Sequence, residues 1–156
     1  GKFMSYSHII HLQCSGCGRE FSHQEIHTFC PDCQSPILSI YDLEYVREHV
    51  DRDEISRRRK GMWRWHELLP VEDPENVVFL GEGDTALLQL PNLGKELGLK
   101  NLFVKDESSN PTGSFKARGL AAAVSRAKEL GGMMQTAALM STKLCGSNAL
   151  GSTTAE

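Results

Sequence analysis

No apolar run in this 156-residue chain approaches the roughly 20 residues that a membrane span requires, and the first residues lack the apolar segment of a secretory signal. A surplus of basic charge is missing as well. Lys+Arg 17 against Asp+Glu 20 gives a net charge of -3, which argues against a nucleic-acid footprint over the whole chain. The first residue is Gly1 in place of methionine, which suggests a trimmed or partial N-terminus. What is present is ordinary for a soluble globular protein, with 40% hydrophobic and 24% charged residues. The length suits one medium domain, or a small module joined to part of a larger one.

Cysteine is the exception to this plainness. Four of the five cysteines form two C-x2-C knuckles, Cys14-Ser15-Gly16-Cys17 and Cys30-Pro31-Asp32-Cys33, separated by twelve residues. Such a turn lets two thiolates face one point while nearby amides stabilise their charge. Two turns complete a tetrahedral zinc site with no open position for substrate, so the expected role is structural. Few apolar residues surround the knuckles, so the metal would supply much of the folding free energy of residues 1–40. Gly18 follows the first knuckle, where a ribbon turn needs a permissive backbone. A redox pair and a metal-free vestige are the alternatives to zinc. His23 and His27 lie between the knuckles and read as solvated, because four sulfurs already fill the site. Paired knuckles point to a reducing compartment, and the cytoplasm is the expected location. Zinc ribbons also bind nucleic acids, but Lys2 and Arg19 are too few to favour that here.

Residues 41–76 read as a helical linker. Leu43, Val46 and Val50 fall on one side of a helix, and the mixed-charge segment Asp51 to Lys60 reads as a solvated face. The segment from Met62 to Pro70 places Trp63, Trp65, Leu68 and Leu69 close together, as a short helix anchored on a larger body and ended by proline.

From residue 77 the pattern becomes that of an α/β domain. Strands are expected at Val77–Leu80, Leu87–Leu90, Leu102–Lys105 and Gln135–Met140, with a short helix over Asn92–Leu97 and a longer one over Ser114–Leu130. A glycine turn, Gly81-Glu82-Gly83-Asp84-Thr85, follows the first strand. Ala117, Gly119, Ala121, Ala122, Ala123 and Ala127 give the long helix a small-residue face fit for close packing on a parallel sheet. Between strand and helix lies Ser108-Ser109-Asn110-Pro111-Thr112-Gly113, a run of turn and cap residues, with Lys116 in the first helical turn. A helix N-terminus carries partial positive charge, which disfavours an ammonium and, in a site that is also dry, favours a neutral amine able to attack a carbonyl. The backbone donors there suit an anionic carbonyl cofactor. A solvated first-turn lysine on an ordinary βα unit has the same spacing.

The string NPTGSFKARG, Asn110 to Gly119, resembles the lysine-bearing motif of the fold-type II pyridoxal-phosphate (PLP) enzymes, and within them the threonine-synthase family. The resemblance implies that Lys116 is the Schiff-base lysine and that Phe115 lies beside the cofactor ring. Two further segments resemble that family. Met62–Pro70 is similar to its WRY-x-ELLP segment, with Trp65 in place of tyrosine. The turn after residue 80 is similar to its GEG-x-TPL element, with Ala86 in place of proline. Past residue 132 the likeness fades. The family's Ser/Thr-x-Gly-Asn loop has an imperfect counterpart in Gly146-Ser147-Asn148, which gives Asn148 a claim to the cofactor's ring oxygen. Ser141-Thr142 lies nearer the expected spacing from Lys116, with no Gly-Asn directly after it. Cys145 reads as a small buried residue.

The expected organisation is therefore a zinc-ribbon-like module over 1–40, a helical anchor over 41–76 and the beginning of a PLP domain over 77–156. The domain is expected to be incomplete, because the family's glycine-rich phosphate loop and pyridine-nitrogen partner have no counterpart here. The implied activity is a PLP lyase acting on O-phosphohomoserine and water to give threonine and phosphate. The implied partner is that small amino-acid substrate, with oligomers possible and neither nucleic acid nor membrane expected. A related PLP β/γ-eliminating enzyme, which Ala117 favours over the family's usual aspartate, and an inactive zinc-ribbon binding fragment are the alternatives.

Overall fold

The structure is a computed structural model that describes residues 5–131. It is a mixed α/β arrangement with two small antiparallel sheets. The first has strand order β2-β1-β3, from β1 (Ile9–Cys14), β2 (Glu20–Phe21) and β3 (Ile37–Tyr41). In it Cys14 pairs with Ile37 and Leu12 with both Phe21 and Ser39. The Phe29–Pro36 bridge brings the second knuckle back toward the first.

Two short helices follow, α1 (Leu43–His49) and α2 (Arg52–Arg57). Each is capped by an aspartate: Asp42 accepts from the Tyr45 N–H and Asp51 from the Asp53 N–H. Neither buries a residue. The mixed-charge segment is not wholly a solvated face. The Arg58 guanidinium donates to both carboxylate oxygens of buried Glu67 at 2.6 and 2.8 Å, to Glu54 at 2.8 Å and to the Arg64 carbonyl at 2.7 Å. Glu67 supplied the missing charge, which linear charge counting over residues 51–60 does not include.

Met62–Leu68 forms a 3-10 segment that delivers Met62 and Trp63 to the core beside Val71 and Ala121. Tyr6, Leu69, Val77, Phe79 and Ala122 pack around them. Only one of the two tryptophans anchors: Trp63 is buried, whereas Trp65 is half exposed. The indole N–H of Trp63 donates to buried Glu82 at 3.0 Å, which satisfies the one polar atom that burial would otherwise strand.

The second sheet pairs β4 (Leu87–Gln89) with β5 (Phe103–Lys105) around α3 (Pro91–Leu97), which ends on Gly98 in the left-handed conformation. No strand forms at 77–80. The Val78 N–H donates instead to the Ser125 hydroxyl at 2.8 Å, and the Leu80 N–H to the Glu82 carboxylate at 3.0 Å. Those amides serve side chains, so the segment has no ladder to join. The strand expected at 135–140 lies outside the described residues, and no parallel pair occurs among the described ones.

The longest helix is α4 (Lys116–Glu129), which buries Ala117, Ala121, Ser125 and Ala127. Of the small face expected to pack on a parallel sheet, Ala117, Ala121 and Ala127 are buried while Gly119 and Ala123 are exposed. The described packing is partly against loops: the 3-10 turn Pro74–Asn76 packs on the helix, and Glu129 accepts from the Glu72 and Asp73 backbone N–H groups. Among the described residues, no helix is long and apolar enough to cross a membrane.

Candidate metal centre and candidate active site

The two knuckles converge. The sulfurs of Cys14, Cys17, Cys30 and Cys33 all lie within 4.8 Å of one another, with Cys14–Cys33 at 3.4 Å and Cys17–Cys30 at 3.7 Å. A tetrahedron of thiolates about 2.3 Å from zinc has edges of roughly 3.8 Å, so the donor set fits that ion. The knuckles are near copies. Gly18 N–H bonds the Cys14 carbonyl at 3.1 Å, and Gln34 N–H bonds the Cys30 carbonyl at 2.9 Å. Both residues have positive φ, at 75° and 59°. Backbone N–H groups of Gly16 and Cys17 donate to the Cys14 sulfur at 3.3 and 3.4 Å, as a bound thiolate requires. Hydrogen bonds from the Ser35 hydroxyl and backbone N–H bring Cys33 down to about 6. His23 and His27 stay outside this cluster; His23 faces Glu72 at 3.5 Å and His27 faces Glu25 at 3.5 Å.

Lys116 is the first residue of α4, directly after the N-cap Phe115. Both side chains are exposed, Phe115 by 66%. The Lys116 amine makes no hydrogen bond or ion pair among the described residues, so it is available to condense with an aldehyde, and the Phe115 ring beside it offers an apolar face. That much fits PLP. The helix has no side-chain N-cap bond to occupy its N-terminus. Asn148, Ser141, Thr142 and Cys145 lie outside the described residues.

Behind Lys116 sits a network that the motif alone did not reveal. The Glu107 carboxylate accepts from the Thr85 hydroxyl at 2.6 Å, the Asn110 amide at 2.7 Å, and Arg118 Nε and Nη2 at 2.8 Å each. Asn110, itself buried, accepts the Gly83 N–H at 3.1 Å. The Arg118 guanidinium, with help from the Thr85 hydroxyl, holds the Glu107 carboxyl down at about 2. The signal in the sequence was an acid at 107, just before the motif, and a base at 118 inside it, but nothing in their spacing of eleven says that they meet.

A cavity of about 650 Å³ lies elsewhere. It lies between the cysteine-bearing sheet and the flank of α4, lined by Leu12, Ile37, Leu120, Ala123 and Leu130 among others, and neither Lys116 nor Phe115 borders it.

Residues 78–147 match the family described as pyridoxal-phosphate dependent enzyme. The chain is 44% identical over 119 residues to a threonine synthase of Methanocaldococcus jannaschii, covering 76% of this chain and 29% of that protein. It is 39% identical over 134 residues to one from Methanosarcina acetivorans, covering 86% and 32% respectively. A third, from Halalkalibacterium halodurans, is 48% identical over 77 residues, or 49% of this chain and 22% of that protein. The chain thus spans about a third or less of the length of these relatives. No solved structure matches significantly. The resemblance read from Asn110–Gly119 is borne out at the level of sequence.

Proposed function

We propose, for a chain whose residues 78–147 match the pyridoxal-phosphate dependent enzyme family, that it acts in PLP-dependent lyase chemistry of the threonine-synthase type, on O-phosphohomoserine and water. The observation that carries this reading is the Lys116 amine at the head of α4, without a partner among the described residues and inside the matched stretch 78–147. Lys116 would carry the cofactor through its aldehyde, with Phe115 against the ring and Asn148 near the ring oxygen. The cofactor, when bound, supplies an electron sink that acidifies substrate carbon atoms. Lys116, once released, takes and returns protons at those carbons, a role that a flexible primary amine on a fixed helix can fill. Cys14, Cys17, Cys30 and Cys33 would hold a structural zinc ion, since four thiolates leave no place for substrate. Domain limits at 40 and 76, and a cytoplasmic location, belong to the same reading.

The test is to supply PLP and O-phosphohomoserine and to measure phosphate and threonine. Equal amounts of both are expected, and Lys116→Ala should abolish them. A 2-oxo acid in place of threonine would move the assignment to a dehydratase-like relative. Neither product from protein carrying PLP would contradict the lyase reading.

A further inference from the structure

A helix begins with N–H groups that have no partner inside it, and its first turn frays unless something outside holds it. The α4 helix lacks the usual device, because its N-cap Phe115 makes no side-chain bond. Beyond the Ala117 and Arg118 N–H bonds to the Ser114 and Phe115 carbonyls, what reaches the first turn is tertiary. Arg118, two residues beyond Lys116, lays both edges of its guanidinium fork on the two oxygens of Glu107, at 2.8 Å each. Arg118 Nη2 also reaches the Thr85 hydroxyl at 3.1 Å. Glu107 in turn accepts from Thr85 and Asn110, and Asn110 accepts from Gly83, so three separate turns share one carboxylate. With four donors on two oxygens the carboxylate has nothing left to give.

We propose that Glu107 and Arg118 are positioning residues for Lys116: their bidentate pair ties the first turn of α4 to the 107–109 turn and, through Thr85, to the 81–85 turn, and so fixes the direction in which the amine meets a carbonyl. The inference rests on reading Lys116 as the cofactor anchor. An amine condenses along a narrow approach, and small displacements of a reacting group cost rate steeply. The planar fork is what sets the rotation of the turn, and a lysine at 118 offers a single point of charge in its place.

The experiment exposes the chain to PLP, quenches samples with borohydride at timed intervals, and maps the labelled lysines by peptide mass. Exposed Lys95 and Lys100 serve as internal references. In the natural sequence Lys116 should label faster than either. In Arg118→Ala and in Glu107→Gln its rate should fall about tenfold, with the reference rates and the far-ultraviolet circular dichroism unchanged. Added guanidinium ion should restore labelling in Arg118→Ala but not in Glu107→Gln, a rescue that a loss of fold would not show. If one variant fails to fold, the other decides. Lys116 labelling at the natural rate in a folded variant overturns the positioning role while leaving the cofactor reading intact. Lys116 labelling no faster than Lys95 in the natural sequence overturns the cofactor reading, and this inference with it.

Discussion

Gly83 has φ of 103°, and a Cβ placed on it would lie 2.6 Å from the Met62 backbone nitrogen. The close approach is what lets Met62 N–H bond the Glu82 carbonyl at 3.0 Å and Gly83 N–H bond Asn110. Gly83→Ala should therefore cost about 2–3 kcal/mol, read as a lower denaturant midpoint with an unchanged slope. The side chains nearby titrate in a predictable direction. Arg118 holds Glu107 at about 2 against an ordinary 4.5, so its folded form binds its proton less readily than its unfolded form. That stabilisation is complete above pH 4.5 and disappears as pH falls toward 2. Burial alone would raise Glu67, but the Arg58 hydrogen bonds outweigh it and hold it low, which adds to the same acid limb. Glu107→Gln should flatten the loss of stability between these pH values without removing it, as followed by circular dichroism during acid titration. Arg58→Ala strands a buried carboxylate and should cost about 3 kcal/mol.

The elements show where reading from residues succeeds. The two knuckles, the strand positions at 87–89 and 103–105 and the long helix at 116–129 were each legible because their signals are local: ligand spacing, short apolar runs, a small-residue face; the antiparallel pairing of β4 with β5 was not. Val77–Leu80 was misread because four apolar residues look like a strand wherever their amides go, and here Ser125 and Glu82 claim them from 47 and 2 residues away. Trp65 looked equal to Trp63, since a composition count cannot tell which side of a short 3-10 segment faces inward. The Glu107–Arg118 pair, like Arg58–Glu67, needed the third dimension. Helix α4 also links both ends of the described chain. Arg126 donates to the His23 carbonyl at 2.5 Å and to Glu72 at 3.1 Å, and pairs with Glu129. Arg126→Ala should cost about 2 kcal/mol and raise amide exchange at residues 23–28, measured by mass spectrometry. Ala121→Leu, at a buried position beside Met62 and Trp63, should overpack the core and cost about 2 kcal/mol in thermal or chemical melts.

Across the molecule, the cysteine cluster and the Lys116 motif share one scaffold, with α4 running from the candidate cofactor anchor to the loop between the two knuckles, where Arg126 bonds the His23 carbonyl. The core between them is small: Met62, Trp63, Val71 and Ala121, with partly buried neighbours. A bound metal would then carry a large share of the folding free energy, since the thiolates converge only in the folded state. One zinc per chain is expected by elemental analysis, and chelation should lower the thermal midpoint; metal-free protein with an unaltered midpoint would remove zinc from the account. The central claim is narrower, that Lys116 is where this chain meets PLP. It is tested most directly by trapping the cofactor with borohydride and sequencing the labelled peptide. The account predicts a pyridoxyl group on Lys116 in preference to every other lysine. Label on Lys95 and Lys100 with Lys116 unmodified would contradict it.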